Sequence, residues 1–214
     1  LDYCVRGTMD AEDFDIELKR LRNAHSDSIQ SQLNLLGSHD TRRIMTVCNE
    51  DISKLMLSLV FQFTYLGAPM IYYGDEIGMT GEDDPLCRGT MIWEKEKWNT
   101  AVHKMYRTLI EIRKKNAALR RGCYKTLKVF NHVFSYFRSY KNNSIIIIIN
   151  SGQKSCEVAI KLPEEARPTE PWIDLLSLKR IYGNAAKIKI KELKARSAMI
   201  LAPLTPATLA HPSP

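Results

Sequence analysis

Long apolar runs and closely spaced cysteines are missing from this sequence of 214 residues. No apolar run approaches the roughly 20 residues that a membrane span needs, and the five isoleucines at 145–149 have the length of a strand. The first residues carry neither the basic residues nor the apolar core of a secretory signal peptide. The sequence also begins at Leu1 rather than at a methionine. We therefore expect a cytoplasmic fragment or processed product that has no membrane partner.

The five cysteines are odd in number and widely separated. Their spacing excludes CxxC metal or redox motifs and a disulfide framework. We expect reduced and mostly buried thiols, as in a cytoplasmic protein. An apolar content of 44% with 26% charged residues is typical of a globular domain rather than of a disordered or fibrous chain.

Positive charge is concentrated in the second half of the chain. Residues 1–115 hold 15 Lys and Arg against 18 Asp and Glu, whereas residues 116–214 hold 16 against 6. Lysine and isoleucine alternate over 187–191, which predicts a strand with one solvated face. Because the positive charge is dispersed in this way, we expect no nucleic-acid partner.

Residues 1–115 predict a parallel α/β arrangement, because helical and strand patterns alternate along them. The predicted helices lie over 10–21, 52–63 and 102–110, and the predicted short strands lie over 32–36 and 70–73. Two parallel strands cannot close a barrel, and a complete (β/α)8 barrel takes roughly 250 residues. Residues 1–115 are therefore expected to be the last strand–helix units of such a barrel.

From 116 onward the segments are short, β-branched or aromatic, and separated by turn residues. This pattern predicts an antiparallel β-sandwich of about seven strands over 116–202. The stretch 203–214 has four prolines and no charge, so we expect a disordered tail.

The segment GSHDT at 37–41 follows the first predicted strand. Reacting groups converge at the C-terminal ends of strands in parallel α/β folds. An imidazole at His39 can donate to a sugar hydroxyl, and a carboxylate at Asp40 can stabilise a positively charged sugar ring. Arg42 and Arg43 are close enough in sequence to hold Asp40 ionised. A bare His–Asp pair is more typical of a hydrogen-bonded loop than of a catalytic site.

Three other groups carry two interpretations each. Asp75 and Glu76 would line a cleft or bind a cation, or would accept hydrogen bonds from loop backbone. The acidic residues at 82–84 lack the alternating spacing of a calcium loop, so a solvated loop is favoured and no cofactor or metal is predicted. Trp93 and Trp98 would offer faces for sugar stacking or would pack a loop.

Two segments resemble the α-amylase family of glycoside hydrolases, in its neopullulanase, cyclomaltodextrinase and maltogenic amylase branch. NLLGSHDT at 34–41, followed by Arg43, resembles the last of the family's catalytic segments. GAPMIYYGDEIGM at 67–79 resembles the segment around the eighth barrel strand, and Arg88 with MIW at 91–93 continues it. The resemblance spans about residues 1–202. Gly89 and Thr90 depart from the bulkier or basic residues that are usual there.

The resemblance implies a retaining hydrolase that acts on α-1,4-linked or α-1,6-linked glucans or on cyclodextrins. It implies that Asp40 stabilises the transition state and that His39, Arg43 and Arg88 bind substrate. The nucleophile and the acid/base belong to earlier strands, so this chain alone is predicted to be inactive and to need the missing N-terminal part of the barrel. The resemblance leaves open a calcium ion and a homodimer in the longer parent enzyme.

A second hypothesis makes the chain a noncatalytic module that binds carbohydrate or another partner through its basic β domain. Carbohydrate binding would then depend on exposed aromatic side chains such as Tyr136, Tyr140 or Trp172. Nucleic-acid binding would need a contiguous basic patch and steep salt dependence.

Overall fold

The computed structural model describes residues 1–166, 171–184 and 186–204. Its first part contains five α-helices among the described residues: α1 (Ala11–Ala24), α2 (Ile44–Val47), α3 (Ile52–Thr64), α4 (Thr100–Lys115) and α5 (Ala117–Arg121). Two short strands, β1 (Leu33–Leu35) and β2 (Ala68–Met70), pair in parallel, with Leu33 opposite Ala68. No helix in the described part of the chain has the length and apolar character that a membrane crossing needs.

Capping side chains fix where the long helices begin. The Asp10 carboxylate accepts a hydrogen bond from the Asp13 backbone N–H at 2.9 Å, at the start of α1. The Asp51 carboxylate does the same for the Ser53 N–H at 2.9 Å, at the start of α3. These bonds satisfy N–H groups that have no partner within the helix. The three predicted helices are present.

β2 lies earlier than the strand predicted over 70–73. The Ala68 N–H donates to the Gln32 carbonyl at 2.8 Å, so pairing with β1 begins before Met70. It ends at Met70 because the chain then turns, and the Asp75 N–H donates to the Tyr72 carbonyl at 3.1 Å. The parallel strand pair is as predicted, but β2 begins and ends earlier in the sequence than predicted.

The second part of the chain is mostly antiparallel β structure, as predicted. Nine strands are described, more than the predicted seven, because β8 and β9 have only two residues each. The strands are β3 (Cys123–Phe130), β4 (Val133–Tyr140), β5 (Asn143–Asn150), β6 (Cys156–Lys161), β7 (Trp172–Asp174), β8 (Arg180–Ile181), β9 (Gly183–Asn184), β10 (Lys187–Leu193) and β11 (Ser197–Pro203). One sheet has the order β3-β4-β5-β11-β7-β8, and the other has the order β6-β10-β9.

The larger sheet is covered on both faces. Ile147 on β5 joins an apolar core that includes Leu59 on α3. Its neighbour Ile148 points the other way and joins the core shared with Val158 and Ile188 of the smaller sheet. A strand buried on both faces has no polar position, which explains the run of five isoleucines. On β10 the lysines are exposed and the isoleucines buried, as the alternation predicts.

The first residue of the predicted tail, Pro203, belongs to a strand. Pro203 ends β11 and pairs with Trp172 of β7. Residues 205–214, on which the rest of that prediction falls, lie outside the described residues.

The parallel strand pair has one covered and one open face. On the covered face, the Gln62 side chain of α3 donates to the Asn34 carbonyl at 2.8 Å and to the Met70 carbonyl at 2.9 Å. On the other face, Leu33 and Leu35 are 63% and 48% exposed. Within the described part of the chain, no third strand pairs with β1 or β2.

Candidate active site

The loop after β1 is shaped by its own side chains. The Ser38 N–H donates to the Thr41 hydroxyl at 3.2 Å, and the Asp40 N–H donates to the Ser38 hydroxyl at 3.2 Å. Both hydrogen bonds are local, as is typical of Ser and Thr in turns. They present the side chains of His39 and Asp40 at the C-terminal end of a parallel strand.

His39 and Asp40 form an exposed pair. The His39 Nε2 lies 3.2 Å from the Asp40 Oδ2, and the two side chains are 66% and 69% exposed. An exposed donor beside an exposed carboxylate can bind a polyhydroxylated ligand, and the carboxylate can stabilise positive charge on that ligand. The pair is thus open to solvent.

Arg88 completes this group from a separate segment, the short helical turn Leu86–Arg88. Its Nε donates to the His39 carbonyl at 3.0 Å, and its Nη2 lies 3.6 Å from the Asp40 Oδ1. Its Nε also lies 3.0 Å from Asp84. The structure therefore brings together three of the predicted site residues: His39, Asp40 and Arg88.

Arg43 does not join them, which corrects the prediction that it contacts substrate. Its side chain is completely buried, and its Nη1 donates to the Tyr73 carbonyl and to the Asp75 Oδ1, the latter at 3.3 Å. Its guanidinium carbon lies 4.5 Å from the ring centroid of Tyr72 and 4.6 Å from that of Tyr73. A side chain enclosed in this way cannot touch a ligand in solution, although it can support the loops around it.

The expectation that Arg42 and Arg43 hold Asp40 ionised is wrong. Arg42 is directed toward the acidic loop, where it binds Asp83 through two nitrogens at 3.0 and 2.7 Å and lies 3.3 Å from Glu82. The cation beside Asp40 is Arg88, which is distant in sequence. The acidic residues at 82–84 are thus paired with arginines, and no group of three metal-ligating side chains occurs within the described residues.

Asp75 was expected to line a cleft or bind a cation, or to accept hydrogen bonds from loop backbone. The structure instead pairs its carboxylate with the side chain of Arg43. Asp75 is 2% exposed and faces Arg43. Burial raises the pKa of its carboxyl to about 6, the Arg43 guanidinium opposes this shift, and Glu76 adds to it. This buried pair was not predicted, because nothing local in the sequence links positions 43 and 75.

The candidate aromatic side chains differ in exposure. The Trp98 Nε1 donates to the Ile92 carbonyl at 2.9 Å, so Trp98 packs the loop, while Trp93 is 76% exposed. Tyr136 and Trp172 are buried, at 0% and 2% exposure, and Tyr140 packs against the apolar core. The hypothesis of a carbohydrate-binding β domain therefore loses Tyr136 and Trp172 as binding aromatics, whereas Phe130 and Tyr182 of that domain are 56% and 70% exposed.

The chain matches a known family of catalytic domains over more than half of its length. The catalytic-domain family named alpha-amylase matches residues 6–122, a range that contains both segments described above. The chain belongs to the α-amylase family of glycoside hydrolases, and the resemblance predicted from the two segments is confirmed.

Within that family, the chain is similar to proteins named cyclomaltodextrinase and neopullulanase. It is 37% identical over 94% of its length to a cyclomaltodextrinase from Thermoanaerobacter pseudethanolicus, and 36% identical over 93% to neopullulanase 2 from Thermoactinomyces vulgaris. It spans 32% and 34% of those two proteins, so about a third of their length. A solved structure of a cyclomaltodextrinase matches it with a TM-score of 0.85 at 28% identity, covering 95% of this chain and 35% of that one.

Proposed function

We propose that this chain is the C-terminal part of a retaining α-glucan hydrolase. It contributes the last two strand–helix units of a (β/α)8 barrel, β1 with α3 and β2 with α4, followed by the antiparallel β domain. The observation that carries the proposal is the exposed Asp40 carboxylate at the C-terminal end of β1, flanked by His39 and Arg88. The rim of a parallel barrel is where such enzymes place their reacting groups.

Asp40 acts on the transition state rather than through a covalent bond. A retaining glycosidase needs one carboxylate as nucleophile and another as acid/base, and the ring becomes positively charged as the glycosidic bond breaks. Asp40 stabilises that charge and accepts hydrogen bonds from sugar hydroxyls. His39 donates to the same sugar, and Arg88 both contacts substrate and orients Asp40.

The open side of the parallel strand pair supports a partial barrel. Leu33 and Leu35 are too exposed for residues that line a finished barrel core. Beside β2, a concavity of about 320 Å³ is lined by Ile71 together with His103 and Ile110 of α4. The missing N-terminal part of the barrel would cover both surfaces and supply the nucleophile and the acid/base.

The proposed substrates are α-1,4-linked or α-1,6-linked glucans or cyclodextrins, acted on in the cytoplasm by a longer enzyme whose homodimerisation is left open. Neither nucleic acid nor a membrane is a proposed partner. The isolated chain is expected to be inactive, because it holds no nucleophile for the covalent step.

A hydrolysis assay tests this proposal. The pure 214-residue chain is expected to release no reducing sugar from maltodextrin, pullulan or cyclodextrin. A chimera in which it replaces the corresponding C-terminal third of the Thermoanaerobacter cyclomaltodextrinase is expected to hydrolyse cyclodextrin. Turnover by the isolated chain, or a folded chimera without activity, would overturn the proposal.

A further inference from the structure

We propose that Asp75 is a positioning residue for the candidate site: together with Arg43 it supports the loop that carries His39 and Asp40. The inference rests on the proposed role of Asp40. It assigns to the buried pair a task that neither residue performs by contact with substrate.

The first support is the way in which Arg43 is enclosed. Of its three guanidinium nitrogens, only Nη1 has partners within the described residues, namely the Tyr73 carbonyl and the Asp75 carboxylate. The faces of the Tyr72 and Tyr73 rings cover the rest. Asp75 is the carboxylate that forms an ion pair with this buried cation in the described part of the chain. Loss of that negative charge would leave a desolvated guanidinium with too few acceptors.

The second support is the contact between Asp75 and the loop itself. A Cβ placed on Gly37 would lie 2.2 Å from the Asp75 Oδ2 and 3.1 Å from its Cγ. The carboxylate therefore rests directly against the backbone of Gly37, two residues before His39. Arg43 follows Asp40 by three residues, so the buried pair holds the loop from both of its ends.

The charged and titratable groups around Asp75 define when this support changes. Arg43 opposes protonation of Asp75 and its neighbour Glu76 favours it, while burial and the charge of Asp75 raise the pKa of Tyr106 on α4 and keep that phenol neutral. Tyr72 and Tyr73 line the Arg43 side. Because burial raises the pKa of Asp75 to about 6, the carboxylate gains a proton as the pH falls through that value.

Global stability is the wrong readout for this change. The folded-state pKa of Asp75 lies above its ordinary value of 3.8, so ionisation between those values costs folding free energy. Signals from the loop report instead on its support. The amides of Ser38 and Asp40 are suited to this, because each donates to a side chain within the loop.

The test is an NMR titration of the 214-residue chain in a His39→Gln background, which removes the imidazole side chain from the loop. The Ser38 and Asp40 amide shifts are expected to follow a step with a midpoint near pH 6. Adding Asp75→Asn is expected to abolish the step and to raise amide exchange of the loop at pH 7.5 by roughly threefold or more. Glu76→Gln, a change of the adjacent carboxylate, is the matched control and is expected to keep the step.

Two outcomes contradict the inference: a step that persists in Asp75→Asn, or loop exchange that this substitution leaves unchanged. If Asp75→Asn does not fold, the titration of the His39→Gln protein is the remaining test. A titration in which the loop amide shifts show no step near pH 6 overturns the proposal. The measurement reads the loop and not hydrolysis. Failure here therefore leaves the proposed function intact, and an inactive chimera does not alter the loop titration, so the two failures can be told apart.

Discussion

Arg138 joins the β domain to the helical part of the chain, and its loss gives a measurable prediction. This completely buried side chain on β4 donates to the carbonyls of Thr64 at 2.5 Å, Cys123 at 3.0 Å and Gly122 at 3.1 Å. Thr64 is the last residue of α3, where a positive charge also interacts favourably with the helix dipole. We expect Arg138→Met to weaken the packing of β4 against α3.

The expected loss of stability follows from the hydrogen bonds that the substitution removes. Hydrogen bonds to charged groups contribute about 1.5–3 kcal/mol each, and this gain is partly offset by the several kcal/mol that burial of the guanidinium costs. The free energy of unfolding is therefore expected to fall by about 2–4 kcal/mol, since three carbonyls lose a charged donor. Burial lowers the pKa of Arg138 to about 10, so the group is charged in both states at neutral pH. Stability linked to its titration changes only above about pH 10, where it rises with pH until the group also loses its proton in the unfolded chain.

Urea unfolding followed by circular dichroism measures this loss. Arg121→Met, at an exposed position on α5, is the matched control and is expected to stay within about 0.5 kcal/mol of the parent. An Arg138→Met protein that loses less than about 1 kcal/mol would refute the reasoning, because an unsatisfied buried carbonyl alone should cost that much.

Two further predictions concern close packing and thiols. Gly37→Ala is expected to lower the free energy of unfolding by about 1–3 kcal/mol, because the added methyl group clashes with Asp75. In the control Gly89→Ala, the nearest non-neighbouring atom is 3.7 Å from the added carbon, so the melting temperature is expected to stay unchanged. Equal melting temperatures for the two variants would contradict this. With a disulfide reagent, Cys123 is expected to react first because it is exposed, and Cys87 only after unfolding because it is buried. Rapid reaction of Cys87 in the native state would show that its surroundings are open.

Local patterns predicted the elements well. The apolar spacing over 52–63 corresponds to α3, and the isoleucines at 145–149 correspond to a strand covered on both faces. These features depend on the repeat of a single element, which the sequence carries within a few residues. The order of helices and strands then restricted the first part of the chain to a parallel arrangement.

Pairings between distant residues were not predictable in this way. Arg43 was expected to bind substrate because of its place in a motif, yet it pairs with a buried carboxylate 32 residues away. Tyr136 and Trp172 were considered as binding aromatics, yet both are buried. Burial depends on which elements pack together, and the spacing within one strand does not determine this. Arg88 was predicted to bind substrate by resemblance alone, and its contact with Asp40 was not predicted.

The most direct test of the account is the turnover number of the cyclodextrin-hydrolysing chimera with Asp40→Asn. Asp40 acts mainly on the transition state, so this change is expected to lower kcat by roughly a thousandfold or more while KM changes little. Asp83→Asn, which removes an exposed carboxylate bound to Arg42, is the matched control and is expected to keep kcat within about twofold. An Asp40→Asn chimera as active as the Asp83→Asn control would contradict the central claim.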